Sequence, residues 1–468
     1  MPLILPGNVA SATAGAFSVD NSVRFNRADE PALRKTPGGA GNRNTFTISM
    51  WVKRDVLEVY SPVLESVGNW ADFTNTDTFR IGLSSGTGNL ITNRKFRDIS
   101  AWYHLVIRVD TPQADAANRL RLYVNGVQET SFATNTAVTQ DYDSDFNNTG
   151  VLDILQDGGG RYFGGYGAEI IILDGTSAAP TEFGEFDEDS PTIWKPKKVS
   201  GLTFGTNGFY LDFKDSSNLG NDANGGTDFT EVNLAAADQA TDTPTNNFAT
   251  GNPLDNYYQD AAYTEGNCVV LIATAKQNYS TATMGMTAGK WYWEIQGTTN
   301  TGGFQVLPGI AGRMVTSASE QELGEAADTY AYYSTNGQSY VGGSGSSYGD
   351  TFAADDIIGV AVDLDNNKLY FAKNGTWQNS GDPTSGATGT GAISISAASA
   401  TTMGLYLPAW TGGWGGSVGH YGKWNFGGCP GFAISSGNAD GNGYGNFEYA
   451  PPSGYLALCT KNLGSDGG

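Results

Sequence analysis

Cysteine is scarce in this chain of 468 residues: Cys268, Cys429 and Cys459 stand far apart, with no Cys-x-x-Cys pair among them. That excludes a disulfide framework and a cysteine zinc site. Three buried thiols fit better than a single Cys429–Cys459 bridge. Histidine is scarcer still, with only His104 and His420, so a general base is hard to supply. Helical periodicity is almost missing. No apolar run reaches the roughly 18 residues that a membrane-spanning helix needs. Positive charge is short: 26 Lys and Arg face 48 Asp and Glu, a net charge of −22. Such a balance argues against a surface that tracks nucleic-acid phosphates. The opening Met1-Pro2-Leu3-Ile4-Leu5-Pro6-Gly7 has no basic region, and its apolar run is too short for a signal peptide, so none is expected.

What the chain has is glycine, aromatics and short alternating runs. The 64 Gly and 17 Pro show no collagen-like period, and 12% aromatic residues can fill real cores. The glycines therefore belong to turns between many short strands. In Phe46-Thr47-Ile48-Ser49-Met50-Trp51-Val52, the residues Phe46, Ile48, Met50 and Val52 share one face, and Thr47, Ser49 and Trp51 the other. Trp102 to Val109 alternates likewise. Leu120 to Val124 runs into Asn125-Gly126, a pair that accepts positive φ at both central positions of a hairpin turn. Glu169 to Asp174 and Gly208 to Phe213 complete the first strand-rich region. A second begins near Asn256, with Lys290 to Ile295, Ile358 to Leu364 and Lys368 to Lys373, the last ending at Asn374-Gly375.

The fold class expected is all-β: two consecutive antiparallel β-sandwich, jelly-roll domains with almost no helix. The expected boundaries are an N-terminal arm at 1–16, a first sandwich at 17–200, a closing strand and polar connector at 201–255, and a second sandwich at 256–468. The halves do not repeat one another.

Phe17 to Phe25, Gly41-Asn42-Arg43, Phe46 to Arg54, Trp102-Tyr103-His104 and the Leu122 to Gly126 hairpin together resemble laminin-G, concanavalin A-like jelly rolls of tailed-phage structural proteins. Gly289 to Glu294 and Ile358 to Gly375 resemble a SPRY domain. The linker Asp242 to Phe248 and the ending Phe447 to Leu463 are similar to SPRY-bearing proteins of marine and other phages. The resemblance implies a non-enzymatic virion protein, on tail, fibre or capsid surface, that displays lectin-like modules for host glycans or receptors. It also implies other virion proteins as partners, a particle-surface location that becomes extracellular after lysis, and a homo-oligomer, since sandwich edges must be covered and fibre assemblies are commonly trimeric. The arm at 1–16 is placed to dock onto the particle. Two alternatives stand beside this: a capsid decoration or assembly protein without a ligand, and a polysaccharide depolymerase, since concanavalin A-like folds also host glycan hydrolases.

A hydrolase needs two carboxylates flanking a cleft. Glu185-Phe186-Asp187-Glu188-Asp189-Ser190 begins like a Glu-x-Asp-x-x-Glu strand but has Ser190 where the last acid should stand, and reads as a solvated acidic loop. Gly345-Ser346-Ser347-Tyr348-Gly349 has the form of a nucleophile elbow, but no helix follows it. Asp141, Asp143 and Asp145, followed by Asn147 and Asn148, offer the hard oxygens calcium prefers. Their other reading is a polar loop on an acidic surface. Between Tyr406 and Trp424, the residues Trp410, Trp414, His420 and Tyr421 alternate with glycines and form a candidate glycan platform. The competing reading is that these rings fill the core or an inter-subunit contact. A second Gly/aromatic loop, Gly158-Gly159-Gly160 with Tyr162, Phe163 and Tyr166, lacks the features of a phosphate loop.

Overall fold

The computed structural model describes residues 17–83, 88–256, 261–272, 279–299, 303–315, 322–412 and 419–465. The proposed docking arm at 1–16 lies outside them. The described residues divide into two compact units, meeting at Thr245 and Asn246. Both are antiparallel sandwiches, and one short α-helix, Thr460–Ser465, is described near the C-terminus.

The first unit has two sheets. In the first sheet the long strands Thr45–Arg54 and Gly165–Asp174 lie side by side. Tyr103–Asp110 and Leu120–Val124 extend it on one side, and Ser22–Phe25 on the other. The predicted alternation holds. Phe46, Ile48, Met50 and Val52 enter the core with Phe25, Ile107 and Ile172. The opposite face is buried as well: Trp51 is 3% exposed, and its ring stacks on His104 at 4.6 Å. Asn125 and Gly126 take φ of 48° and 76°, the left-handed pair that the hairpin required. The second sheet runs Phe132–Thr136, Asn89–Lys95, Thr78–Leu83, Asn69–Phe73, Ser61–Ser66, Leu152–Ile154, Ala32–Lys35 and Thr230–Val232.

The stretch 201–255, expected as a closing strand and polar connector, holds that strand and two further paired segments. Phe209–Leu211 pairs with Ile170 to Ile172, Thr230–Val232 with Ala32 to Arg34, and Gln239–Ala240 with Ser22 and Val23. Its polar residues are partners rather than linker. The buried Asp242 carboxylate accepts from Lys53 Nζ at 2.7 Å and Trp102 Nε1 at 3.1 Å. The second unit starts at Asn246, ahead of the expected 256, where Ala249 N donates to Leu458 O.

Gly165–Asp174 carries a bulge between Ala168 and Ile171. Glu169 sits in it with φ of 48°, 6% exposed, and its Oε2 accepts from Tyr210 Oη at 2.6 Å. Burial pushes the Glu169 carboxyl up to about 7, against the lowering effect of that hydroxyl.

In the second unit Lys290–Thr299 is central, between Ile357–Asp363 and His420–Asn425. Facing that sheet, Leu407–Gly412 joins Val306–Ala311 to Tyr279–Thr281. Trp291, Trp293, Trp410 and Trp424 fill the space between the sheets with Val360 and Phe371. Glu294, fully buried, accepts from Glu448 N, Tyr449 N and Asn425 Nδ2 at 2.7–2.9 Å, which ties the C-terminal segment to the central strand. Cys268, Cys429 and Cys459 are buried, and none is in a disulfide.

Asp242→Ala should destabilise the first unit by about 3–5 kcal/mol, because it removes the carboxylate that pairs with the buried Lys53 charge. Calorimetry on the full chain checks this, and an unchanged transition would return the segment to the role of linker. Glu169 adds a pH dependence. Its raised pKa makes its contribution complete below about 4.5 and lost as pH rises through about 7. The first unit should therefore unfold at lower temperature at pH 8 than at pH 5, and Glu169→Gln should remove up to ~3 kcal/mol of that slope.

Candidate functional site

The site with the most built-in chemistry lies on the second sheet of the first unit, on the face turned away from the core. Along Asn69–Phe73, Ala71 and Phe73 point inward, so Trp70 and Asp72 point outward. Along Thr78–Leu83, Phe79, Ile81 and Leu83 point inward, leaving Arg80 and Gly82 outward. The hairpin between them sets Asp72 opposite Arg80 and Trp70 opposite Gly82. Asp72 is 3% exposed and receives a two-pronged bond from Arg80, Nε to Oδ1 at 2.5 Å and Nη2 to Oδ2 at 2.7 Å. Burial raises the Asp72 carboxyl above the usual range, and the Arg80 bonds oppose that rise.

The Arg80 guanidinium lies 4.3 Å from the Trp70 ring centre and 4.9 Å from that of Tyr60, and Arg161 lies 4.6 Å from Tyr60. Rings and guanidinium groups thus alternate along the cleft. The triple-glycine loop forms one wall. Gln156 bridges to Tyr162 at its base. Asp157 Oδ1 accepts from Gly159 N and Arg161 N, both at 2.9 Å, and Gly160 turns the chain with φ of 81°. Gly158 N donates to Glu65 Oε2 at 3.3 Å, which pins the loop to the sheet. The cleft is lined by Glu65, Trp70, Asp72, Arg80, Asp157 and Arg161, among others. It offers a partly buried indole, fixed polar groups, and charged pairs held by one another.

Among the described residues of the platform expected between Tyr406 and Trp424, all rings but that of Tyr421 turn inward. Tyr406, Trp410, His420 and Trp424 are fully buried. The indole of Trp410 lies against Gly297 and Gly422, where an added Cβ would come within 2.8 and 2.7 Å of it. His420 is held by the backbone, with Nε2 3.0 Å from Gly303 O and 3.2 Å from Gln305 N. Tyr421, on the other face of the same strand, is half-buried. Trp414 lies outside the described residues. The alternation that turns His420, Gly422 and Trp424 inward is the reason: these rings serve the core.

The proposed calcium ligands do not converge. Asp141 and Asp143 face solvent, and Asp145 is engaged by Arg43 Nη2 at 2.9 Å and Asn148 Nδ2 at 3.1 Å. Among the described residues no three His, Cys, Asp or Glu side chains gather into a metal set, and a guanidinium beside Asp145 opposes a cation there.

Glu185 and Phe186 lie on the short hairpin Gly184–Phe186 and Trp194–Pro196. There Asp187 is buried and caps its own loop by accepting from Asp189 N and Ser190 N. Ser346 and Ser347 lie on the exposed strand Ser344–Ser347, with no helix after it. His104 is fully buried. It sits 2.9 Å from Ser49 Oγ and accepts from Trp194 Nε1 at 2.9 Å, and burial takes its pKa down to about 3.

Comparison with known proteins agrees with this architecture. The family described as the concanavalin A-like lectin/glucanases superfamily matches residues 32–177, and the SPRY domain family matches residues 290–397. Both domains are present in the chain. Among solved structures, the SPRY domain of human HERC1 is 14% identical, with 37% of this chain and 96% of that one covered at a TM-score of 0.27. A Bacteroides ovatus protein with a proposed carbohydrate-binding role is 14% identical, with 46% and 58% covered at a TM-score of 0.35. The TRIM65 PSpry domain is 12% identical, with 38% and 89% covered at a TM-score of 0.28. No curated protein matches the chain in sequence.

Proposed function

We propose that the chain is a non-enzymatic, lectin-like binding protein whose first unit holds a glycan in the cleft beside Trp70. The observation that carries this reading is the cleft itself. A half-exposed indole lies flat over Gly82, where an added Cβ would come within 2.4 Å of it, among fixed polar groups. Sugar rings present apolar faces to such an indole and hydroxyls to such groups. The match to a lectin/glucanase superfamily supports the same reading. Binding is favoured over hydrolysis because the cleft's carboxylates are already committed: Asp72 to Arg80, Asp157 Oδ1 to two backbone amides, and Glu65 to Gly158 N and, at 3.4 Å, Gly68 N. A general acid and base would need such groups free.

The finer part of the proposal is location. The resemblance of the 242–248 and 447–463 segments to phage proteins supports a place on the surface of a phage particle, in a tail fibre, a tail-associated protein or a capsid-surface protein. There the chain would contact other virion proteins, as a homo-oligomer with a trimer favoured, and be extracellular after lysis. The fully buried tryptophans of the second unit favour a structural part for that unit beside a binding part for the first.

Trp70→Ala should cut glycan affinity at least tenfold, about 1.4 kcal/mol, without shifting either unfolding transition by more than a few degrees. Calorimetric titration against glycans selected on an array checks it, and the same complexes should release no reducing ends on prolonged incubation. Antibodies raised against the chain should label purified phage particles in electron micrographs; particles that stay unlabelled and lack the chain by mass spectrometry would remove the virion assignment.

A further inference from the structure

Resting on the glycan-binding reading, we infer that the cleft selects acidic sugars, carrying a carboxylate or a sulfate ester, and that Arg161 is the residue that selects them. On the acceptor side, Asp72 has both oxygens on Arg80, Asp157 Oδ1 takes two backbone N–H groups, Glu65 takes Gly158 N on one oxygen and Gly68 N on the other, and only Asp157 Oδ2 is left with an ion pair to Arg161 and no hydrogen bond. On the donor side much is left over. Arg80 spends Nε and Nη2 on Asp72, and among the described residues Nη1 meets no partner. Trp70 Nε1 has no acceptor among the described residues and is not sealed from solvent. Arg161 has no side-chain hydrogen bond among them either. Its nearest carboxylate oxygen, Asp157 Oδ2, is 3.6 Å from Nη1, and the side chain is 48% exposed. The cleft therefore offers surplus donors and few free acceptors, so the complementary ligand supplies acceptors.

Three features make Arg161 the selective residue. It is aimed, because its guanidinium lies over the Tyr60 ring and its own backbone N–H is fixed on Asp157. Stacking leaves the edge of the guanidinium plane free, and that edge presents paired N–H groups matching the two oxygens of a carboxylate or sulfate. Arg80 stacks near the same ring, so a second guanidinium faces the same ligand. The surplus is local: with a net charge of −22, the chain as a whole repels anions, so an acidic glycan would be drawn by these groups at short range and not by the overall field.

The test is calorimetric titration of the full chain with polygalacturonate, dextran sulfate and unmodified dextran, for the wild type, Arg161→Ala, Arg161→Lys and Trp70→Ala. The expected result is at least tenfold tighter binding of one or both acidic polymers than of dextran. Arg161→Ala should lose that preference, and Arg161→Lys should not restore it, because a single ammonium cannot replace the paired donors. Whichever acidic polymer binds identifies the group as carboxylate or sulfate. If dextran binds as well as the acidic polymers and Arg161→Ala changes nothing while Trp70→Ala abolishes binding, the acidic-sugar inference is overturned and the glycan-binding reading stands. If all three polymers and an array of neutral and acidic glycans fail to bind the wild type, both fall together.

Discussion

The structure depends on finding partners for carboxylates. With 48 acidic residues against 26 cations, the chain cannot pair its acids one to one, and burying an unpaired carboxylate is costly. The glycine-rich loops answer this with backbone amides. Asp174 in the first unit accepts from Asn42 N at 2.6 Å and from Thr206 N and Asn207 N at 3.1 and 3.0 Å. Asp440 in the second unit accepts from Asn442 N, Tyr444 N and Ala457 N. Glu294 does the same with Glu448 N and Tyr449 N. In each case a fixed side chain takes the amides of a loop segment and holds it in one conformation, and in the second unit the buried Phe447, Tyr455 and Ala457 anchor the same segment.

The same economy shapes the cleft. Glu65 and Asp157 Oδ1 are taken by the amides of the loops beside them, and Asp157 Oδ2 keeps only a long ion pair with Arg161 at 3.6 Å. Arg161, three residues past Gly158, is left to stack on Tyr60. In a chain short of positive charge, a half-exposed guanidinium held by one carboxylate only at 3.6 Å is a resource, and its position at the cleft links the charge economy of the fold to the proposed binding surface.

Much of the architecture is legible in the sequence. The alternation of Phe46 to Val52 and of Lys290 to Ile295, and the Asn125-Gly126 turn, depend on local period and local dihedral preference, and they hold. The polar stretch after residue 201 is not legible in the same way. Gly208 to Phe213 announces its strand, but Thr230–Val232 and Gln239–Ala240 are too short to do so, and Asp242 looks like linker until the fold brings Lys53 and Trp102 beside it. The cleft was hidden for a related reason. Trp70-Ala71-Asp72 and Arg80-Ile81-Gly82 each show the alternation, and the short Thr74–Asp77 turn between them would have paired Asp72 with Arg80. That signal is one of register across a hairpin, and it is invisible to a search for motifs along the chain. Tyr60 and Arg161 come from farther away and carry no such signal.

The clearest contrast lies between two tryptophans with the same neighbours in kind. Trp410 and Trp70 both lie over glycines, Gly297 and Gly422 for the first and Gly82 for the second, and in each case a Cβ would collide with the indole. A glycine across from a tryptophan therefore marks a ring that lies flat on the backbone of the next strand, and it says nothing about whether the ring is wet or dry. Strand parity decides that. Trp410 stands on the face of its sheet that meets the facing sheet, in step with Trp293 and Trp424, so its flat packing closes a core. Trp70 stands out of step with Ala71 and Phe73, so the same packing against Gly82 lays an indole on the surface. The abundance of glycine and aromatics between Tyr406 and Trp424 pointed to a platform, whereas the ring that can serve as one lies in a strand with no glycine of its own.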